Sequence, residues 1–280
     1  MRKLGLIITL LLIVYPLLGQ TPNPILRIAL TYLNTPYVAH TLERTRNEKL
    51  IVNTKEVDCT TFVEYVLAEA LATSDTTKLH SAKEYLQQIR YRDGVIEDYT
   101  SRLHYITEWI IEGEKNNFVT DITNTYGTDS MYVTLSYMSK HPQYYRHLAH
   151  SKSNQAKMQK IEQRVSGTRI GWLPKEQLPS EGLSWIKDGD IIALTVGIRG
   201  LDVSHLGFAY YKNEKLHLLH ASSSVGKVII EPIPLSEMLS NNKNWNGLRV
   251  VRPSICNPTE KELSPLEVVQ KHFTKLVFQN

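Results

Sequence analysis

The chain has 280 residues, of which 42% are hydrophobic, and a formal net charge of +4. This length suits one large domain or two small ones, and this apolar fraction is typical of a globular protein with a sizeable core. The positive charge is too small and too scattered to indicate a nucleic-acid partner.

The first residues predict a targeting segment. Arg2 and Lys3 precede a mostly apolar run over 6–18, which is short for a membrane span. We predict a cleaved signal peptide over 1–20 and export to the periplasm, and an uncleaved anchor is the alternative. No cysteine lies nearby to carry a lipid. Loss of Arg2 and Lys3 lowers the net charge from +4 to +2.

The remaining chain predicts helices first and strands later. Apolar spacing predicts helices over 25–33, 59–72, 81–89 and a segment that ends near 111. The least informative region is 115–165, where 132–137 could form a strand and 141–160 are polar. Alternating apolar residues then predict strands over 191–196, 203–211, 216–221, 228–230 and 248–251. This order predicts an α+β fold with a mostly antiparallel sheet.

Cys59 lies where an irregular segment becomes a helix. Asp58 is a predicted N-cap, and an apolar stripe follows from Phe62, with Glu64 and Glu69 off it. Unpaired N–H groups at a helix N-terminus favour an anion, so this position predicts a lowered thiol pKa and a nucleophile. The alternative is a buried cysteine that only fills space.

The chain has two cysteines, Cys59 and Cys256. In an exported protein a disulfide between them is an alternative that would abolish Cys59 as a nucleophile. We expect free thiols, because a chain of this length does not need a single bridge.

A cysteine nucleophile needs an imidazole base and a group that orients it. A symmetric turn over 212–215 would pair His220 with Gly207 and leave His205 as a same-face diagonal neighbour, roughly 7–8 Å away at the backbone. A slip by one residue would separate the two histidines. Asp190 and Asp202 are competing orienters.

A second polar cluster lies between the helices. It comprises Tyr91, Arg92, Arg102 and His104. One interpretation is a wall that contacts an anionic, sugar-bearing or peptide ligand, and the other is a solvated loop and helix. The histidines over 141–150 lack partners at a metal-ligand spacing, so no metal site is predicted.

These residues resemble the NlpC-type cysteine peptidase superfamily, which has a papain-like fold. Its Asp-Cys-Ser/Thr motif, at the start of a helix packed on a small sheet, corresponds to Asp58-Cys59-Thr60. Its His-hydrophobic-Gly strand corresponds to Ser204-His205-Leu206-Gly207, and its later polar residue to His220. Its Pro-Tyr element corresponds to Pro36-Tyr37.

The ordered set of matches is similar to the NlpC-like N-acetylmuramoyl-L-alanine amidases. This resemblance implies cleavage of the amide between N-acetylmuramic acid and L-alanine in muropeptides, with anhydro-muropeptides as expected substrates. It implies that Cys59 attacks, that His205 forms an ion pair with Cys59 and protonates the leaving amine, and that His220 orients His205. The Tyr37 hydroxyl and the Cys59 N–H are the implied oxyanion donors.

The resemblance implies that no metal or organic cofactor is required and that the substrates are peptidoglycan fragments. We predict one domain over 21–280, with insertions around 75–180, and expect it to be monomeric. We expect substrate contacts from Asp58, Thr60, Tyr91, Arg92, Arg102, His104 and Ser204. The nearest alternative activity is a γ-D-glutamyl-diamino acid endopeptidase. A catalytically inactive wall-binding module and an acyltransferase are further alternatives.

Overall fold

The structure, a computed structural model, describes residues 23–255. The predicted signal peptide and Cys256 lie outside these residues. The helices are α1 Pro24–Thr31, α2 Cys59–Ser74, α3 Ala82–Arg90, α4 Ile106–Lys115, α5 Thr123–Tyr126, α6 Tyr137–Lys140, α7 Arg146–Ala149, α8 Lys152–Val165 and α9 Leu235–Ser240. The strands are β1 Val119–Asp121, β2 Asp129–Tyr132, β3 Arg169–Pro174, β4 Ile191–Val196, β5 Val203–Lys212, β6 Lys215–Ser222, β7 Lys227–Ile230 and β8 Trp245–Pro253.

The strands form one sheet in the order β2-β3-β8-β4-β5-β6-β7, with β1 also paired to β8. Every pairing is antiparallel. The prediction of mixed helices and an antiparallel sheet is therefore confirmed. Within the described residues, no helix is both long and apolar enough to cross a membrane.

The hairpin of β5 and β6 has the predicted register. Phe208 pairs with Leu219 and Lys212 pairs with Lys215, so the turn consists of Asn213 and Glu214. Both turn residues have positive φ, at 49° and 61°, as this type of tight hairpin turn requires. This register brings the later part of β6 beside the start of β5, where the two predicted histidines lie.

Helix α2 is buried on more sides than the sequence pattern predicts. It packs against α1, α3 and β5, so residues across most of its surface are enclosed. Glu64, which we placed on the polar side, is only 2% exposed and pairs with the buried Arg90 at 2.7 Å. The prediction of a polar face at Glu64 is wrong because α3 supplies a buried cation that the periodicity of α2 does not reveal.

The region over 115–180 differs most from the sequence prediction. The strand expected over 132–137 lies earlier, at β2, while β1 and β3 were not predicted. These strands are short, and β1 and β2 have partly exposed patterns without a clear apolar repeat. They are held by pairing with distant segments of chain, because β1 and β3 both join β8.

Candidate active site

The N-terminus of α2 is closed by a capping box. The Asp58 carboxylate accepts hydrogen bonds from the Thr61 N–H at 2.8 Å and the Thr61 hydroxyl at 2.9 Å. The Thr61 hydroxyl oxygen in turn accepts from the Asp58 N–H at 2.9 Å. The predicted N-cap is confirmed, and Cys59 is the first residue of the helix. Both cap bonds end on the same carboxylate oxygen, Asp58 Oδ1, so Asp58 fixes the start of α2, and its contact with substrate stays a prediction.

The Cys59 sulphur faces polar donors from two elements. The N–H groups of Thr60 and Leu206 both donate to it, and the Thr60 hydroxyl lies 3.9 Å away. Leu206 directly follows His205 on β5, so the nucleophile helix meets the histidine strand at the sulphur. Cys59 is a free cysteine that remains partly exposed.

The protonation state of Cys59 corrects the sequence prediction. Burial of the thiol, followed by the nearby negative charge of Asp58, raises its pKa to about 11. The predicted lowering of the pKa is wrong, because loss of hydration of the thiolate outweighs the helix N–H groups. The free protein therefore holds a neutral thiol at neutral pH.

His205 and His220 are in contact, as the hairpin register predicts. His205 Nε2 lies 2.6 Å from His220 Nδ1, and the two rings are nearly perpendicular. Gly207 makes room for this pair, since a Cβ at that position would lie 2.9 Å from the His220 Cβ. A side chain at residue 207 would therefore displace the second histidine.

Both imidazoles are neutral near pH 7. Burial lowers the pKa of His205 to about 4. Burial and then the charge of His205 lower the pKa of His220 to about 3. A neutral His205 can accept a proton from the Cys59 thiol. The neutral pair fits a base that takes this proton as Cys59 attacks the substrate better than it fits an ion pair in the resting protein.

Sequence reasoning missed Glu231, which follows β7. His220 Nε2 lies 3.3 Å from Glu231 Oε2, on the side of the ring away from His205. His217 donates from Nδ1 to the Glu231 carbonyl at 2.8 Å. No local motif marks Glu231, because it reaches His220 only through the pairing of β6 with the segment that follows β7.

Neither competing orienter reaches His205. The Asp190 carboxylate pairs with Arg252 at 2.8 Å. The Asp202 carboxylate accepts from the Thr107 N–H at 2.7 Å. Both aspartates are occupied at other places in the fold, which leaves His220 in the orienting position.

Tyr37 lies beside the nucleophile. Burial, followed by the charges of Cys59 and Asp58, raises the pKa of its phenol to about 12. Its backbone forms a bridge with Val57, which brings the Pro-Tyr segment next to the start of α2. Tyr37 therefore stays protonated at neutral pH and can donate a hydrogen bond near Cys59.

Trp245, which was not predicted, lies beside His205. The ring centroids of His205 and Trp245 are 6.0 Å apart. Trp245 Nε1 donates to the hydroxyl of the exposed Ser204 at 3.0 Å. This bond fixes the indole beside the imidazole, and it is the contact that the structure shows for Ser204.

Most of the predicted polar wall is internal structure. Tyr91 is 1% exposed and donates its hydroxyl proton to Glu48 at 2.7 Å. Arg102 is 7% exposed and pairs with the same carboxylate at 2.7 Å. The expectation that Tyr91 and Arg102 contact substrate is corrected, because their polar atoms are buried and hold Glu48 of the 38–56 segment.

The other two members of this cluster also have internal partners. Arg92 pairs with Glu108 at 2.9 Å. His104 Nε2 donates to the Tyr99 carbonyl at 2.8 Å, and burial lowers the pKa of His104 to about 3. These contacts assign Arg92 and His104 to the packing of α4 and the preceding loop.

A cavity of about 430 Å³ opens near the start of β5. It includes Val203, two residues before His205, and Asn246, next to Trp245. Other walls come from the loop after β4 and from β2 and β3, including Tyr132, Arg199 and Ile170. This volume lies within the range of small-molecule sites.

Comparison with protein families identifies the chain. The model of the AmiA-like family, described as N-acetylmuramoyl-L-alanine amidase-like, matches residues 27–248. The chain belongs to this AmiA-like family. The match includes Tyr37, Cys59, His205, His220 and Glu231 within its bounds. No curated protein matches the chain.

Solved structures of members and more distant proteins share this fold. An N-acetylmuramoyl-L-alanine amidase from Bacteroides uniformis is 52% identical, with a TM-score of 0.79 over 82% of this chain and 98% of that chain. A protein from Bacteroides fragilis, named as a candidate xylanase, is 48% identical, with a TM-score of 0.78 over 81% of this chain and 99% of that chain. A Legionella pneumophila protein is 23% identical, with a TM-score of 0.62 over 82% of this chain and 88% of that chain, and it shows likeness of fold alone.

Proposed function

We propose that this AmiA-like protein is a cysteine hydrolase of the papain-like NlpC type that cleaves the amide between N-acetylmuramic acid and L-alanine in muropeptides. One observation carries the chemistry. A free cysteine at a helix N-terminus receives a hydrogen bond from the Leu206 N–H, next to His205, and His205 contacts His220. Family membership and the B. uniformis amidase support the bond that is cleaved.

The reaction starts from the neutral thiol and imidazole. The Cys59 sulphur attacks the lactyl carbonyl carbon while its proton passes to a His205 ring nitrogen. The carbon–nitrogen bond then breaks, and His205 returns the proton to the departing amine of L-alanine. Water, deprotonated by His205, attacks the resulting thioester. The carbon–sulphur bond breaks and His205 returns the water proton to the sulphur, which releases the lactyl carboxylic acid and restores the thiol.

The oxyanion of each tetrahedral intermediate needs donors that are already in place. The Cys59 N–H at the start of α2 and the Tyr37 hydroxyl are the proposed donors. Tyr37 remains a donor throughout the neutral range, since its pKa is raised to about 12 by burial and neighbouring negative charge. Loss of one such donor costs about 3–4 kcal/mol of transition-state stabilisation.

A glycoside hydrolase, the activity that the B. fragilis protein's name suggests, fits this site less well. Glycosidases generally place two carboxyl groups on either side of the bond that is cleaved. Around Cys59 the described residues supply a thiol and two imidazoles, and the nearby Asp58 carboxylate is used by the helix cap. The amide hydrolase is therefore favoured.

The second candidate is the γ-D-glutamyl-diamino acid endopeptidase. It would use the same cysteine and histidines on a bond within the stem peptide. The cavity near β5 gives the amidase room for the part of its substrate on one side of the cleaved amide.

We also propose an exported, periplasmic monomer with one catalytic domain and no cofactor.

The test is incubation of the mature protein with defined anhydro-muropeptides, followed by mass spectrometry. The amidase releases an intact stem peptide and a sugar without peptide. Cys59→Ala should abolish turnover and retain substrate binding, while the matched Cys256→Ala variant should keep full turnover. Cleavage within the stem peptide would select the endopeptidase, and turnover by Cys59→Ala would exclude the cysteine mechanism.

A further inference from the structure

A chain of three side chains leads away from Cys59. His205 Nε2 lies 2.6 Å from His220 Nδ1, and His220 Nε2 lies 3.3 Å from Glu231 Oε2. His220 is 2% exposed, whereas Glu231 is partly exposed at the far end. Both nitrogens of the middle ring are thus occupied, one by an imidazole and one by a carboxylate.

Hydrogen-bond chemistry fixes where the protons lie in this chain. A carboxylate can only accept, so His220 must carry its proton on Nε2. A neutral His220 then has a bare Nδ1, which accepts from a proton on His205 Nε2. A neutral His205 in turn has a bare Nδ1, the only ring nitrogen that His220 does not occupy.

We propose that Glu231 is a positioning residue that sets the tautomers of His220 and His205 and thereby leaves the basic lone pair on His205 Nδ1 for the Cys59 proton. A histidine orienter has an ambiguity that an aspartate lacks, since either of its nitrogens can carry the proton. Without Glu231, His220 could protonate Nδ1 and place the His205 proton on the nitrogen that must act as base. This role in turnover depends on the proposed cysteine mechanism.

The fold holds Glu231 in place through its backbone. The Glu231 N–H donates to the Leu218 carbonyl at 2.8 Å, and His217 Nδ1 donates to the Glu231 carbonyl at 2.8 Å. Glu231 is thus attached to β6, the strand that carries His220. The carboxylate follows any movement of this strand.

The direct test is long-range ¹H–¹⁵N spectroscopy of protein labelled with ¹⁵N-histidine. In the wild type we expect the His205 and His220 protons on Nε2. In Glu231→Ala we expect a mixture of His220 tautomers and a loss of kcat of about 10- to 100-fold with unchanged KM. Glu231→Gln keeps an acceptor oxygen and should retain the wild-type tautomers and more of kcat than Glu231→Ala. Glu237→Ala, on the exposed side of α9, is the matched control and should change neither property.

Two results would overturn this assignment. The first is a wild-type His220 with its proton on Nδ1, which requires no variant to fold. The second is a Glu231→Ala protein that loses kcat with unaltered tautomers, or that keeps full kcat. Because the spectra require no substrate, failure of the proposed amidase activity and failure of the Glu231 role give different results.

Discussion

At the scale of single residues, two opposing effects act on the pKa of the Cys59 thiol. The Leu206 N–H on β5 and the Thr60 N–H at the start of α2 favour the thiolate. Burial and the Asp58 charge favour the neutral thiol and prevail, giving the raised pKa. A neutral thiol resists adventitious oxidation, because the thiolate is the reactive form.

Asp58→Asn should lower the pKa of the Cys59 thiol. Asparagine is as good an N-cap as aspartate, so the helix start is kept while the charge is removed. The measurement is the pH dependence of iodoacetamide alkylation in a Cys256→Ser background. Asp129→Asn, at an exposed position on β2, is the control and should leave the profile unchanged. An unaltered profile in Asp58→Asn would show that the Asp58 charge does not act on the sulphur.

At the scale of elements, the β5–β6 hairpin assembles the base and its orienter. Its two-residue turn fixes the register, and that register places His220 beside Gly207 and within reach of His205. The predicted register is confirmed because alternation and turn length are local properties of the sequence. Helix α2 meets the hairpin at Leu206, so the two elements share the Cys59 site.

Gly207→Ala should damage both stability and turnover. The added Cβ would lie 2.8 Å from Leu218 and 2.9 Å from the His220 Cβ, so β6 would have to move. Overpacking of this kind costs about 1–3 kcal/mol of unfolding free energy. Urea denaturation and kcat measure the two effects.

Gly197→Ala is the matched control for the hairpin. Its added Cβ would meet no atom within 4 Å, so the free energy of unfolding should remain near that of the wild type. Equal behaviour of the two variants would mean that β6 adapts freely and that the close approach at Gly207 is unimportant.

At the scale of the whole molecule, burial of neutral histidines links folding to pH. His104, His205 and His220 have pKa values lowered to about 3, 4 and 3, mainly by burial. An unfolded histidine titrates near pH 6.5, so the unfolded chain binds more protons between about pH 4 and 6.5. Stability is therefore full above about pH 6.5 and is lost as the pH falls toward the folded values.

The free energy of unfolding should decline between about pH 6.5 and 4. In His104→Asn this decline should be shallower, because one buried group that prefers the neutral form is removed. Urea denaturation at several pH values measures the slope, and His40→Asn at an exposed position provides the control. A slope for His104→Asn equal to that of the wild type would contradict the contribution of buried His104.

The sequence by itself determined the features that depend on neighbouring residues. The helix start at Cys59 follows from Asp58 and the apolar residues after it, and the hairpin register follows from alternation around its turn. These patterns also placed His205 next to His220. Membership of the AmiA-like family agrees with this ordered set of residues.

Only the tertiary structure decided which charges are buried and what they contact. Glu64, Arg102 and Glu231 are polar residues in unremarkable local sequence, yet each meets its partner from a distant element. The thiol pKa of Cys59 likewise depends on how much water the surrounding elements remove. Desolvation and long-range pairing depend on the packed fold, and a linear pattern contains neither quantity.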